Sequence, residues 1–338
     1  SDAVRLRLRS VGDEGVRLLL WQEVHPTIHG GAESWVRDTA AGLRLVGHQV
    51  AWLQSDQIQQ ALRTFRPDVV ILGTLHCFVG LTPVIWLADQ RVPAIWFLHD
   101  YWPFCGPRML MKDFNRSDQS CEAVERLCRP SCGGGVGAVG FVNRFHVATG
   151  CEGAAAIMRR HGLNVRSVVE EGIDTDLFRP GTEPRESGPV VYASAAGEDR
   201  WKGIHVLRQA VAGTGIEVRF LTGLSRPALA ESLRNAAVYV FPSVYQEIWG
   251  LALTEAMASG CAVVASDVAG ARAQVHDGLG QLVPAGDAAA LRAEIEYLLE
   301  FPSVARSLGE AAREHVEREH SLEAIGRRWE RGCAGVLA

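Results

Sequence analysis

The chain has 338 residues, is 47% hydrophobic and 22% charged, and has a mean hydropathy of +0.04. That length suits about two domains, each large enough to bury its own core. A net charge of -5 and a pI near 6.1 argue against nucleic acid or an anionic membrane as main partner. No apolar run approaches the roughly 20 residues of a transmembrane segment, and the leading SDAVRLRLRS lacks a signal-peptide core, so a soluble, cytoplasmic protein is expected.

Short apolar runs alternate with helical stretches, the pattern of βαβ units and parallel sheets in an α/β fold. Val16–Trp21 reads as a strand, followed by the turn His29-Gly30-Gly31-Ala32 and a helix from about Glu33 to Leu45. Val50–Leu53, Val69–Leu72, Ala94–Leu98, Val147–Thr149 and Ser167–Val169 continue a first set of strands. A second set comprises Val190–Ala193, Ile216–Leu221, Val238–Phe241, Ala262–Ala265 and Gln281–Val283. Between them Asp176–Pro189, rich in Pro, Gly and charge, reads as the linker. The domains are therefore expected at 1–175 and 176–320. Two charged helices, about Val304–Glu319 and Leu322–Ala334, end the pattern. Residues 4–9 alternate apolar with Arg and suit either an edge strand or a disordered arm. His315 and His320 are five apart, off the shared face that a helical zinc pair needs, and read as part of a solvated helix. No P-loop pattern occurs.

Residues 101–140 break the rhythm. They hold Cys105, Cys121, Cys128 and Cys132, with 15, 6 and 3 residues between successive thiols. These are not the tight pairs of most zinc modules, yet four thiols in one irregular loop could close a tetrahedral structural zinc site. Two disulfides or four free thiols are the alternatives, the former disfavoured in a reducing compartment. Cys77, Cys151, Cys261 and Cys333 lie in or beside apolar runs and read as packing residues.

The strongest local signal runs from Phe241 to Gly260. A strand ends at Phe241, a turn carries Glu247 and Gly250, and a helix starts near Leu251. The free N–H groups and positive dipole end of such a helix suit a phosphate. Gly250 leaves room for close approach, and Glu255, one turn in, could accept bonds from vicinal hydroxyls. The plainer reading makes Glu247 a helix cap and Glu255 an ordinary helical acid. Only two lysines, Lys112 and Lys202, occur among the 34 basic residues. Coding bias towards Arg explains the rarity, and a site needing a compact ammonium would explain what remains.

The run PS-x-x-x-E-x-W-G-L-x-L-x-E-A-M-A-S-G-C-A-V-V-A-S resembles the signature of glycosyltransferase family 4, retaining nucleotide-sugar enzymes of the GT-B fold. Gly30-Gly31-Ala32-Glu33, His99-Asp100, Glu171-Gly172-Ile173-Asp174 with Phe178, Lys202-Gly203 and Gly278–Pro284 resemble further family motifs in the family's order. The likeness covers about residues 16 to 300. It implies two Rossmann-like domains facing each other across a cleft, the first binding the acceptor and the second the donor. It also implies a helix at 321–338 crossing back to the first domain. By the same resemblance Gly30, Gly31, Arg200, Lys202, Gly250 and Leu251 would serve the donor diphosphate, and Glu255 the ribose. Glu247 would hold sugar hydroxyls, and His99 would reach the donor sugar near the reacting carbon. The donor would be a UDP-, GDP-, ADP- or dTDP-sugar, the acceptor a hydroxyl-bearing small molecule or glycan, and no catalytic metal would be required. Front-face chemistry would let the leaving phosphate take the acceptor's proton.

The chain departs from the pattern in three places. Gly197 stands where the family has an Arg, with Arg200 the nearest substitute; Ala273 stands where Glu is frequent. A strand–helix unit between Ile216–Leu221 and Val238 is missing. The alternatives are a GT-B-like sugar-nucleotide epimerase or a non-catalytic binding subunit, the latter kept open by the loss at Gly197.

Metal analysis separates the readings of the four-thiol loop. Bound zinc would give about one equivalent per chain, and Cys121→Ser would lower both zinc content and stability. Metal-free protein with reactive thiols at these positions would rule zinc out.

Overall fold

A computed structural model describes residues 15–22, 30–75, 81–105, 138–183, 185, 188–194, 200–276 and 278–337. They fall into two compact units. One is drawn from Ser1–His99, Gly137–Gly172 and His320–Ala338, the other from Asp100–Val136 and Ile173–Glu319.

The first unit alternates β1 (Arg17–Trp21), α1 (Gly31–Leu45), β2 (Gln49–Leu53), α2 (Ile58–Phe65), β3 (Val69–Leu72), α3 (Thr82–Ala88), β4 (Ala94–Leu98), α4 (Ala138–Val142), β5 (His146–Thr149), α5 (Glu152–Arg160) and β6 (Val165–Val168). All pairings are parallel, in the order β2-β1-β3-β4-β5-β6. Leu18–Trp21, Val69–Leu72 and Ile95–Leu98 are buried throughout. Unbroken apolar runs like these are what a parallel strand covered on both faces requires.

The second unit contains β7 (Val190–Ala193), a 3-10 turn (Arg200–Lys202), α6 (Ile204–Val211), β8 (Glu217–Phe220), α7 (Arg226–Asn235), β9 (Val238–Phe241), α8 (Leu251–Ala258), β10 (Ala262–Ser266), α9 (Ala269–Gln274), β11 (Gln281–Val283), α10 (Ala288–Glu300) and α11 (Pro302–Glu319). Its sheet is also parallel, ordered β11-β10-β9-β7-β8, with β8 at one edge. Only the short α7 stands between β8 and β9, where the sequence lacks a strand–helix unit. The two sheets share one winding. Strand order reverses between β1 and β3 in the first and between β7 and β9 in the second. Loops leaving the carboxyl ends of strands at such a reversal diverge, and the crevice between them is where open α/β sheets bind ligands.

The last helix, α12 (Leu322–Leu337), belongs to the first unit and packs along α1. Contact is closest at two glycines. A Cβ on Gly42 would stand 2.3 Å from the Leu322 carbonyl oxygen, and one on Gly326 would stand 2.2 Å from that of Gly42. Trp329 of α12 is fully buried against Trp35 and Phe97, with ring centroids 6.0 and 5.5 Å apart.

Several expectations need correction. Asp176–Pro189 is not a linker, because the chain passes between the units at Gly172–Ile173. Phe178 is fully buried, and Arg185 donates to the carbonyls of Ala236 and Ser259. Its composition marked solvent exposure and not a lack of anchors. Of residues 101–140, those described up to Cys105 group with the second unit and those from Ala138 with the first. His320 is not solvated: it is 3% exposed, and its Nδ1 donates to the Glu171 carbonyl at 3.0 Å. Beside it, a Cβ on Gly172 would lie 2.4 Å from the His320 oxygen. Residues 4–9 and Cys77 lie outside the described residues.

Two outcomes follow from this packing. Gly326→Val should push α12 off α1 and cost at least the ~1–3 kcal/mol of an overpacked core, read as a lower Tm. An unchanged melt would mean the helices do not touch there. Burial pushes the thiols of Cys151 and Cys261 up to about 11 and that of Cys333 up to about 12. All three should therefore stay protonated and unlabelled by a thiol reagent at about pH 8 until the protein is unfolded. Prompt labelling of any of them in the native state would contradict their burial.

Candidate functional site

The site of the second unit is built on the loops that leave β7 and β9. After Phe241 the chain runs through Pro242 to Gly250 and turns into α8. Gly250 has φ 99°, and a Cβ there would come within 2.9 Å of the Phe241 ring. Glycine is thus required both for the backbone angle and for the contact. α8 carries no side-chain cap, so the reading of Glu247 as a helix cap does not hold. Its first turn presents main-chain amides and the positive end of the helix dipole. A buried circuit fixes this entry. Trp249 Nε1 donates to Thr254 Oγ1 at 3.0 Å, Thr254 donates to Gln274 Oε1 at 2.7 Å, and Gln274 Nε2 donates to the Trp249 carbonyl at 2.6 Å. Glu255, one turn into α8, is 6% exposed.

The loop after β7 meets the loop after β9 at Lys202. Gly203, at φ 69°, follows the 3-10 turn, and a Cβ on it would stand 1.7 Å from the Pro242 oxygen. The Val244 amide donates to the Trp201 carbonyl at 3.0 Å. This docking carries the Lys202 ammonium to Glu247, with Nζ 2.7 Å from Oε1. Glu247 is 3% exposed. A carboxylate taken so far out of water needs charge and hydrogen bonds in return. Besides Lys202 it receives the Ser243 hydroxyl at 2.8 Å and the Tyr245 hydroxyl at 2.5 Å. Burial first, and the Glu247 charge second, hold the Tyr245 hydroxyl well above its ordinary range, so it remains a donor. Lys202 is also ringed by aromatic faces. Its Nζ lies 4.3 Å from the centroid of Trp201, 5.5 Å from that of Tyr245 and 5.9 Å from that of Phe241. Phe241 thus lies against both Lys202 and Gly250. About a quarter of the Lys202 side chain remains exposed.

Among the residues put forward from the sequence, Lys202 and Glu247 are brought into contact, Arg200 opens the same turn, and Gly250, Leu251 and Glu255 follow on one loop and helix. Gly30, Gly31 and His99 belong to the first unit. The Gly30 amide donates to Glu33 Oε2 at 2.9 Å, so one donor expected for a diphosphate is occupied by the helix's own acid. Gly31 is the first residue of α1. The His99 ring follows β4 and meets Trp35 edge-on at 4.5 Å and Phe97 at 4.8 Å. Of the four-thiol set, Cys105 is buried, while Cys121, Cys128 and Cys132 lie outside the described residues. No metal-binding group of three or more His, Cys, Asp or Glu occurs among the described residues.

Sequence reasoning passed over Ser243, Tyr245, Trp201 and Tyr101. The first two alternate with Glu247 at two-residue steps, a spacing that could have marked them. Trp201 adjoins the lysine. Tyr101 is fully buried and donates to the Gln246 carbonyl at 2.9 Å across 145 residues of sequence, which no local pattern announces.

Residues 185–315 match the family model described as glycosyl transferases group 1. Over 94 residues the chain is 43% identical to a phosphatidyl-myo-inositol mannosyltransferase of Mycobacterium leprae (strain TN), a stretch that is 28% of this chain and 25% of that protein. The alignments span about a quarter of the length of the curated relatives first matched. In fold, sucrose-phosphate synthase from Thermosynechococcus elongatus aligns with a TM-score of 0.73 at 18% identity, covering 95% of this chain and 99% of the other. Anabaena HepE, solved in complex with UDP and glucose, aligns with a TM-score of 0.68 at 16% identity, covering 95% and 100%. No helix among the described residues is long and apolar enough to cross a membrane. The candidate site of Lys202, Glu247 and α8 thus lies within the stretch that matches the glycosyl transferases group 1 model, in a chain whose two parallel-sheet Rossmann-like units have the fold of GT-B glycosyltransferases.

Proposed function

We propose that the chain is a retaining glycosyltransferase that moves a sugar from a nucleoside diphosphate to a hydroxyl of a small molecule or glycan. The observation that carries this reading is the Lys202–Glu247 pair, which joins the two loops leaving β7 and β9 where the strand order of the second sheet reverses, one of those loops running into the uncapped start of α8. A cation, main-chain donors and a helix dipole are what a departing diphosphate needs. The solved relative holding UDP and glucose supports a nucleotide-sugar donor.

When the glycosidic bond breaks, its electron pair passes to the leaving phosphate oxygen. Lys202 and the Gly250–Leu251 amides would meet that growing charge. An ammonium has three N–H donors, so Lys202 can hold Glu247 and a phosphate together. Glu247 keeps a role as well. A carboxylate offers about four acceptor positions, and Lys202, Ser243 and Tyr245 occupy three. The remaining one would take a sugar hydroxyl. Glu255 would accept from the ribose, and Arg200 would add charge to the diphosphate. Gly30 and Gly31 would donate from the first unit once Glu33 yields the Gly30 amide. His99 would bear on the donor sugar beside the reacting carbon. The leaving phosphate would take the acceptor's proton on the same face, retaining configuration without a separate base, and no divalent metal would be required.

A thermal-shift screen against UDP-, GDP-, ADP- and dTDP-sugars should single out one nucleotide, since a ligand at 100 times its Kd adds roughly 2.7 kcal/mol. Lys202→Ala should cut turnover by about 100- to 1,000-fold. Glu255→Ala should chiefly raise the donor KM, because ribose contacts do not change during reaction. Arg200→Ala should lower turnover if that residue stands in for the arginine absent at Gly197. Turnover should persist in EDTA. If the protein binds no nucleotide sugar and Lys202→Ala changes nothing, the transferase reading fails and a binding subunit takes its place.

A further inference from the structure

We propose that Trp201 is a positioning residue for the reaction: its indole face holds the Lys202 ammonium in place without neutralising it. The inference rests on the transferase reading and adds to it a residue that neither the sequence motifs nor the family likeness singles out. Nζ stands 4.3 Å from the Trp201 centroid, well inside the roughly 6 Å within which a cation is drawn to an aromatic face. Tyr245 and Phe241 close the cage from greater distances.

The indole is itself held. It meets the Tyr245 ring edge-on at 5.1 Å and 78°. The Trp201 main-chain carbonyl receives the Val244 amide, and Gly203 is pressed against Pro242. Tyr245 in turn is fixed by its bond to Glu247. Trp201 is therefore a wall braced by Tyr245 on the turn that also carries the lysine.

Such a wall answers a specific problem. A lysine side chain is long and flexible, and its ammonium is a point charge with no preferred direction. Glu247 alone would draw that charge to one side and cancel much of it. An aromatic face attracts the cation through its quadrupole yet accepts no strong hydrogen bond, so the N–H groups not used by Glu247 stay available to a phosphate. The ammonium is thereby placed before charge develops on the leaving group, which is the condition for electrostatic stabilisation without reorganisation.

The scarcity of lysine makes this testable by a signal independent of activity. Only Lys112 and Lys202 would carry side-chain labels after reductive 13C-methylation, which preserves the charge, and Lys112→Arg leaves one. The Lys202 methyl resonance should be shifted upfield by the indole ring current. Trp201→Leu should return it towards the free-lysine position, and Trp201→Phe should keep part of the shift. In unlabelled protein Trp201→Leu should lower kcat by about 3- to 30-fold while the Kd for UDP changes less, and Trp201→Phe should recover most of the loss. A Lys202 resonance unmoved by Trp201→Leu overturns the proposal. So does a resonance that moves while kcat stays unchanged, and in that case a large loss in Lys202→Ala leaves the transferase reading standing. Native protein that turns over no nucleotide sugar overturns both together.

Discussion

A carboxylate buried to 3% exposure dictates much of this site. A carboxylate so placed needs a cation and hydrogen-bond donors close by. The cation comes from Lys202, 45 residues earlier, and the donors from Ser243 and Tyr245 within its own loop. The ion pair therefore binds the turn after β7 to the loop after β9, and each glycine beside it is explained by that union. Gly203 lets one loop lie against the Pro242 oxygen, and Gly250 lets the other bend over Phe241. With one partner removed, the other would be left as an uncompensated charge in a crowded pocket. Positioning and stability are thus coupled in the same few atoms.

The sheet beneath gives this arrangement its address. Parallel strands present all their carboxyl ends on one edge, and the winding order decides which neighbouring loops part. In the second unit the loops that part are those bearing Lys202 and Glu247. They part beyond the strand ends and are held together by the main-chain bond from Val244 to Trp201 and by the Lys202–Glu247 pair. The buried circuit of Trp249, Thr254 and Gln274 keeps that helix start in register with the loop, so the dipole end and the lysine do not depend on each other for placement.

Much of the frame was legible from residues alone. Val69–Leu72, Ala94–Leu98, Val190–Ala193 and Val238–Phe241 are strands with the expected limits, because a strand buried on both faces leaves an unbroken apolar signature bounded by polar turns. The start of α8 at Leu251 was equally plain, since Gly250 interrupts the pattern just before it. The reading failed where a segment looks solvated but is held by distant partners. Asp176–Pro189 has a linker's composition, yet Phe178 and Arg185 anchor it. His320 lies among charged residues, yet its ring closes on Glu171. At the candidate site, motif spacing marked Lys202, Glu247 and Gly250, and the fold pairs the first two and sets the third against Phe241. Those acting through packing, Trp201 and Tyr101 above all, carry no signature in the chain, because their partners are supplied by tertiary folding. Singling out Lys202 and Glu247 from separate motifs did not reveal that they pair with each other.

The abbreviated connection after β8 carries a consequence of its own. Among the described residues no further strand lies beside β8, which ends the second sheet, and an open strand edge offers unpaired main-chain groups to any extended polypeptide. Here the short edge strand displays an acid and a base in alternation, Glu217 and Arg219, joined at 3.0 Å, with the guanidinium 5.9 Å from the Tyr192 ring. A strand adding to this edge would have to lie beside that charged pair and strip water from it. The shortened fold thereby guards itself against the aggregation that an exposed sheet edge otherwise invites, and it does so with two ordinary surface residues.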